Sequence, residues 1–428
     1  MSKTQKSIVG GMTVLGITGI VCKLVGVLFS IPLTWLIGAD GVALFQLVFP
    51  TYNLLLTVSS AGLPVAISRM VSHCLARDDP RNARRVFRIA LWMLTALGFV
   101  CTILMLAGNQ FLAARVGEPL AAPGYIAIAP CLILVCALSA FRGFMQGQQN
   151  MVPTATSQLI EQVGKVFISL PLAYLGSQRG IVYGAAGALM GITLVEAVAL
   201  LYMVLLYFRR RSLFQQLPQD PGAEILSSRS LSSRLVRIAI PITISACIVP
   251  LAQFVDSAML LNRMMVAGLS REVALPLYGL FSGLVIRLIN IPTGLALAVA
   301  MSLVPAISAA MAVHDRRAII RQSDLGIRFA FLIGFPCSVG MSLLAEPIMA
   351  FFYAETLSAE HLRIASELLS VSSLTVVLFT VVQATSSILQ GLHKQRIPMY
   401  TLVAGVACKI VLNYTLVGIP QINIHGAP

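Results

Sequence analysis

Charged residues are scarce in this chain of 428: they make up 11% of it, where soluble domains carry about 25%. Acidic residues are scarcer still, sixteen against thirty basic, which leaves a formal net charge of +14. In a soluble protein that excess would point to nucleic acid. Here 57% of the residues are hydrophobic and the charges bunch between long apolar runs, so the excess belongs to the loops of a membrane protein. The eight cysteines are scattered singly, and all but Cys74 lie in apolar runs. No pair has the spacing of metal ligands, and a disulfide framework is excluded. The five histidines (73, 314, 361, 393 and 425) lie in or near loops. Gly-rich phosphate loops, zinc motifs and nucleophile elbows are missing too, so no enzyme class finds its motif here. The first residues, MSKTQKSIVGG, lack a small-residue cleavage site, and their apolar run outlasts a signal peptide.

What the chain has instead is apolar length. A spanning helix needs about 20 mostly apolar residues. That window gives eleven spans, over approximately 8–36, 43–70, 89–108, 123–144, 154–175, 181–207, 238–261, 276–311, 325–345, 364–389 and 397–417. With the N-terminus inside, twenty-one basic residues fall on the cytoplasmic side and five on the other. That asymmetry sets the orientation, since cytoplasmic loops are the basic ones. The expected location is a bacterial cytoplasmic membrane.

The chain also repeats itself. Ala66-Ile67-Ser68 and Ala306-Ile307-Ser308 lie 240 residues apart, each followed by a basic loop and an apolar span. Gln146-Gly147, Pro153 and Lys165 answer to Gln390-Gly391, Pro398 and Lys409. Span two maps onto eight and five onto eleven, a unit of six helices. Six is even, so both copies insert in the same orientation, as in transporters with parallel repeats. The expected fold class is all-α: two parallel six-helix lobes, 1–207 and 235–428, joined by a polar cytoplasmic linker, 208–234. A twelfth span is expected where the chain stops at INIHGAP, which makes the second lobe a truncated one.

GLPVAISRMVS, FRGFMQGQQNMVPTATSQLIEQ and GIPQINIHGAP resemble the stage V sporulation protein B group of polysaccharide-exporter-like proteins. That group lies within the multidrug, oligosaccharidyl-lipid and polysaccharide exporter superfamily and resembles the lipid II flippases of peptidoglycan assembly. The resemblance covers essentially the whole chain and implies fourteen spans. CKLVG, with Lys23, and RLINIP, with Arg287 and Pro292, match flippase segments that line a central cavity and engage a lipid-linked pyrophosphate. LAQFVDSA, with Asp256, resembles a segment whose aspartate belongs to a cation-coupling site in some flippases. The pattern departs at Phe29 and within YNLLLTV, where flippases carry further arginines.

Read without the family, the ionisable residues inside the spans are Lys23, Glu161, Lys165, Glu196, Asp256, Arg287 and Lys409. Such residues are rare and face a partner, a substrate path or water. Basic groups suit a sugar pyrophosphate whose head group must cross the apolar core, and arginine matches phosphate oxygens well. The alternative for Lys23 and Arg287 is snorkelling to an interface, and for Asp256 a salt bridge, with Arg287 the candidate partner. Lys165 lies roughly 16 Å along span five from Thr154, near mid-membrane. Glu161, one turn earlier on the same face, is expected to be its partner. Substrate contact is therefore expected of Lys23, Arg287, Lys165, Lys409 and Glu161, and cation coupling of Asp256 and Glu196.

The expected function is a flippase that moves a polyprenyl-pyrophosphate-linked saccharide outward by alternating access. No cofactor is expected, only coupling to sodium, protons or membrane potential. The expected partners are the lipid-linked saccharide, membrane lipids and enzymes of cell-wall or spore-envelope synthesis, with no nucleic acid. Three alternatives remain: a cation-coupled multidrug antiporter, a membrane-embedded glycan polymerase or glycosyltransferase, and a sporulation scaffold. Four deep basic residues speak against the antiporter. A polymerase would need a large outer loop, and none exceeds about twenty residues, the length of one span.

Overall fold

The structure is a computed structural model that describes the backbone of residues 3–215 and 227–427. The side chains of 3–17, 20, 23, 24, 27, 210–215, 298, 301 and 312 lie outside the described set. Among the described residues every regular element is a helix. The chain opens with α1 (Lys3–Ser60) and α2 (Gly62–Leu75), followed by α3 (Pro80–Ala107) and α4 (Asn109–Arg115). Next come α5 (Ala122–Ile128), α6 (Cys131–Gly147) and α7 (Val152–Gly164). A π-helical turn (Lys165–Ser169) then leads into α8 (Leu170–Ser177) and α9 (Ile181–Gln215). The later part holds α10 (Ser228–Val266), α11 (Arg271–Gly279), a second π-helical segment (Leu280–Val285) and α12 (Ile286–Ala312). It ends with α13 (Arg316–Leu343), α14 (Ala345–Tyr353), α15 (Ala359–Ser372), α16 (Leu374–Gly391) and α17 (Arg396–Leu416).

Among the described residues ten helices are long and apolar enough to cross a membrane. The first of them begins at Leu28, so most of the expected span 8–36 lies among residues outside that count, and α1 carries the first two expected spans on either side of a kink at Gly38. Gly38 has φ 64° and ψ −174°, a region only glycine occupies comfortably. A single residue thus does the work of the loop expected between 36 and 43. The linker expected over 208–234 is helical at both ends, since α9 reaches Gln215 and α10 starts at Ser228. Residues 216–226 of that linker lie outside the described residues.

The chain packs as two compact units, Met1–Cys22 with Leu47–Phe254 and Lys23–Gln46 with Val255–Pro428. In the first, α2, α3, α6 and α9 close on a core that includes Ile67, Phe87, Phe141, Phe144 and Met145. Phe87 lies 4.6 Å from Phe144 and 5.1 Å from Tyr207, ring centre to ring centre. In the second, Leu303, Ile307 and Ile388 form a core between α12 and α16.

The internal repeat has a physical basis in each unit. Where α2 meets α6, a Cβ on Gly147 would stand 2.7 Å from Val71 Cβ and 2.9 Å from Ser68 O. Where α12 meets α16, a Cβ on Gly391 would stand 2.8 Å from Ile307 Cβ, and Ser308 Oγ donates to Gly391 O at 3.2 Å. The Ala-Ile-Ser and Gln-Gly motifs are therefore the two sides of one helix crossing, built twice. The loops repeat as well. Asp78 (φ 52°) and His314 (φ 55°) take left-handed conformations just before Asp79 and Asp315. Those aspartates cap α3 and α13 by accepting from Asn82 N and Ala318 N, each at 3.0 Å. Gln149 and His393, at φ 59° and 60°, form a second left-handed pair after α6 and α16.

Replacing Gly38 by alanine tests the turn. An added Cβ there meets nothing within 4 Å, so the cost is conformational. Gly38→Ala should destabilise by about 1–3 kcal/mol. Gly340→Ala, also in open space but helical, should be neutral or stabilise by up to about 1 kcal/mol. Thermal unfolding of the purified protein reads both, and equal effects would show that the turn does not need glycine.

Candidate functional site

The first unit buries a four-charge cluster. Glu161, on α7, receives an ion-paired hydrogen bond from Arg142 on α6. Arg142 Nε also donates to Ser157 Oγ at 2.9 Å, and Ser157 Oγ donates to Thr154 O at 2.8 Å. Ser157 and Glu161, four apart, share the helix face that meets α6. The expected partnership of Glu161 with Lys165 is therefore corrected: the cation that holds Glu161 is Arg142. Arg142 looked like a span-end residue, but α6 continues to Gly147, which draws its guanidinium into the packed unit.

Glu196, on α9, is buried beside Glu161, and its Oε2 has no hydrogen-bond partner among the described residues. Lys165 is close enough for its charge to be felt at Glu196, Cys131 and Cys22, yet it forms no ion pair among the described residues. Two acids and two bases thus gather in one place, where one carboxylate oxygen and one ammonium make no hydrogen bond or ion pair among the described residues. Lys165 starts the π-helical turn, a feature that often marks functional positions. The turn packs closely on α9, because a Cβ on Gly191 would lie 2.3 Å from Ser169 Cα. Small residues of this kind let spanning helices approach to backbone contact.

In the second unit Arg287 follows the other π-helical segment. That segment loses a regular backbone partner, and Gln46 compensates by donating its side-chain amide to Ser282 O at 2.6 Å. Arg287 lies with its guanidinium carbon 5.7 Å from the Phe45 ring centre, a cation–π distance, and near Tyr353. It forms no ion pair among the described residues, with Asp256 or any other acid. Asp256 is satisfied elsewhere: Lys409 Nζ donates to its Oδ2 at 2.5 Å and Asn413 Nδ2 to its Oδ1 at 3.2 Å. The salt bridge foreseen for Asp256 exists, with Lys409 in place of Arg287. Lys23 lies on α1, and its side chain is outside the described residues.

Cation coupling is the role expected of Asp256. A metal ion fits poorly there, because an ammonium already sits on one carboxylate oxygen and an amide N–H on the other. A cation about 4 Å from the Lys409 ammonium would also be opposed by about 4 kcal/mol at an effective dielectric constant near 20. Among the described residues no group of three His, Cys, Asp or Glu gathers as a metal site.

These residues sit in a bundle of helices long and apolar enough to span a membrane, and comparison with known proteins places that fold. The fold is that of a solved inward-facing multidrug resistance MATE family transporter of the MOP superfamily. Their TM-score is 0.80 at 17% identity, over 96% of this chain and 92% of that one. The polysaccharide biosynthesis protein model matches residues 8–311, and the MatE model matches 241–415. The chain belongs to the polysaccharide biosynthesis protein family, and its helices make it a multi-pass membrane protein. It is 27% identical to the Bacillus subtilis (strain 168) lipid II flippase MurJ, over 96% of this chain and 77% of that protein. It is 25% identical to stage V sporulation protein B of the same organism, over 99% and 80%.

Removing one member of a buried pair leaves the other charged and uncompensated, at a cost of about 3–5 kcal/mol. Arg142→Met should therefore destabilise the protein more than the double change Arg142→Met with Glu161→Gln. Exchanging Glu161 and Lys165 should place a lysine against Arg142 and lower abundance. Thermal unfolding and membrane abundance measure these. A swapped protein of full abundance would show that Arg142 does not fix Glu161.

Proposed function

We propose that the protein is a flippase of the bacterial cytoplasmic membrane, its N-terminus cytoplasmic, that carries a polyprenyl-pyrophosphate-linked saccharide outward by alternating access. One observation carries the reading: Arg287 is a guanidinium on a spanning segment, with an aromatic ring beside it and no carboxylate paired to it among the described residues. A charge on a spanning segment without a partner is costly. A substrate anion removes that cost, and guanidinium is the side chain best shaped for phosphate oxygens. The name of one relative, a lipid II flippase, supports a lipid-linked cargo. Lys165, which also forms no ion pair among the described residues, is proposed to receive the same pyrophosphate, as is Lys23. Glu161 would act by holding Arg142, and Glu196 by offering its free oxygen to a proton. Enzymes of cell-wall or spore-envelope synthesis are the proposed neighbours in the pathway.

The match of the MatE model to 241–415 favours a second reading, export of a drug in exchange for a cation. A cationic drug would be repelled by Arg287, whereas an anionic lipid would be drawn to it.

Arg287→Ala should abolish flipping of a fluorescent polyprenyl-pyrophosphate saccharide in proteoliposomes while leaving abundance close to wild type. Arg287→Lys should keep part of the activity, because it preserves charge but not the two-pronged geometry. Unchanged flipping by Arg287→Ala, or drug efflux that rises with it, would favour the antiporter.

A further inference from the structure

The eleventh span is attached to its neighbour by polar contacts more than by an apolar seam. On α17 the buried residue is Asn413, whose amide donates to Asp256 Oδ1 on α10. Lys409, one turn earlier, donates to Asp256 Oδ2 at 2.5 Å. Positions i and i+4 share a helix face, so α17 presents an ammonium and an amide N–H to the two oxygens of one carboxylate. A turn or two further on, the same helices are tied again. Arg263 Nε donates to Tyr414 O at 2.9 Å, and its guanidinium carbon sits 4.0 Å from the Tyr414 ring centre.

The Asp256 side chain is 15% exposed, whereas Lys409 keeps 49%. The ammonium takes one of the two oxygens that an arriving cation would need, and the Asn413 amide takes the other. An ionised carboxylate needs a positive partner at this depth, and the chain supplies one on a four-carbon stem that stays covalently attached.

We propose that the Lys409 ammonium is the resident counter-ion of Asp256, a cation built into the chain at the position where the resemblance to some flippases leads one to expect sodium. Binding and release of sodium at Asp256 then plays no part in the cycle, and Lys409 acts as a positioning residue that fixes α17 to α10. The proposal rests on the reading of the chain as a transporter but not on the identity of its cargo.

Thermal unfolding of the purified full chain, with sodium chloride exchanged for choline chloride at constant ionic strength, tests this without substrate. The wild-type protein should unfold at the same temperature in both salts. Lys409→Met should unfold lower in choline and recover part of the loss in sodium, since a free carboxylate oxygen then faces solution. Adding Asp256→Asn to Lys409→Met should erase that response. Lys409→Arg, which keeps a cation, should behave as wild type. A sodium-dependent rise in wild-type stability that Asp256→Asn removes would overturn the proposal, and so would a Lys409→Met protein that sodium fails to stabilise. Either result leaves the saccharide assignment standing.

Discussion

An ionised side chain has no inexpensive place in hydrocarbon, and that constraint orders the interior of this protein. The first unit meets it by gathering its ionisable groups, with Arg142 paired to Glu161 and with Glu196 and Lys165 close by. The second meets it by one tight pair, Asp256 with Lys409, and leaves Arg287 over. The charges are thus sorted into those that hold helices together and those that remain available. A residue already engaged at both ends of its chemistry makes a good strut and a poor hand for cargo. Arg287 and Lys165 have no such engagement, which is what distinguishes them from Arg142 and Lys409.

Those positions hold only because the helices around them are closely packed. Gly191 brings α9 to the backbone of the π-helical turn behind Lys165, and Gln46 supports the turn before Arg287. Trp35 Nε1 adds a bond to Phe352 O at 2.8 Å, next to Tyr353, so the wall near Arg287 is fixed from two elements. Van der Waals contact and interhelical hydrogen bonds supply what an apolar driving force cannot supply inside lipid.

Much of this was legible in the sequence, because the signals are long or local. A span shows itself by apolar length, and the Ala-Ile-Ser and Gln-Gly repeats show that span two answers to eight and five to eleven. That these motifs meet at one helix crossing, and that Asp79 and Asp315 cap equivalent helices, shows only in the contacts. What failed to show depends on which helices meet. Arg142 resembled a loop cation because its value lies in reaching α7, fifteen to nineteen residues on. The segment Lys23–Gln46 packs with residues beyond 255, which no local pattern encodes. The two π-helical turns left no periodic trace, since an added residue breaks the very period used to find helices. Lys165 and Lys409 looked equivalent by repeat, yet one lies beside two glutamates without an ion pair and the other is locked to an aspartate.

The π-helical turn after Lys165 carries a consequence for that duplication. The matching stretch of α17 continues as ordinary α-helix through Lys409 and Asn413. A π-turn takes up one additional residue, and one residue is about 100° of rotation on a helix. From Ser169 onward, the fifth span therefore turns a different flank to its surroundings than the eleventh does at the same count of residues. The two copies share a scaffold up to their lysines and then fall out of phase. Divergence between the copies can thus begin with a change in winding rather than with the exchange of a single side chain.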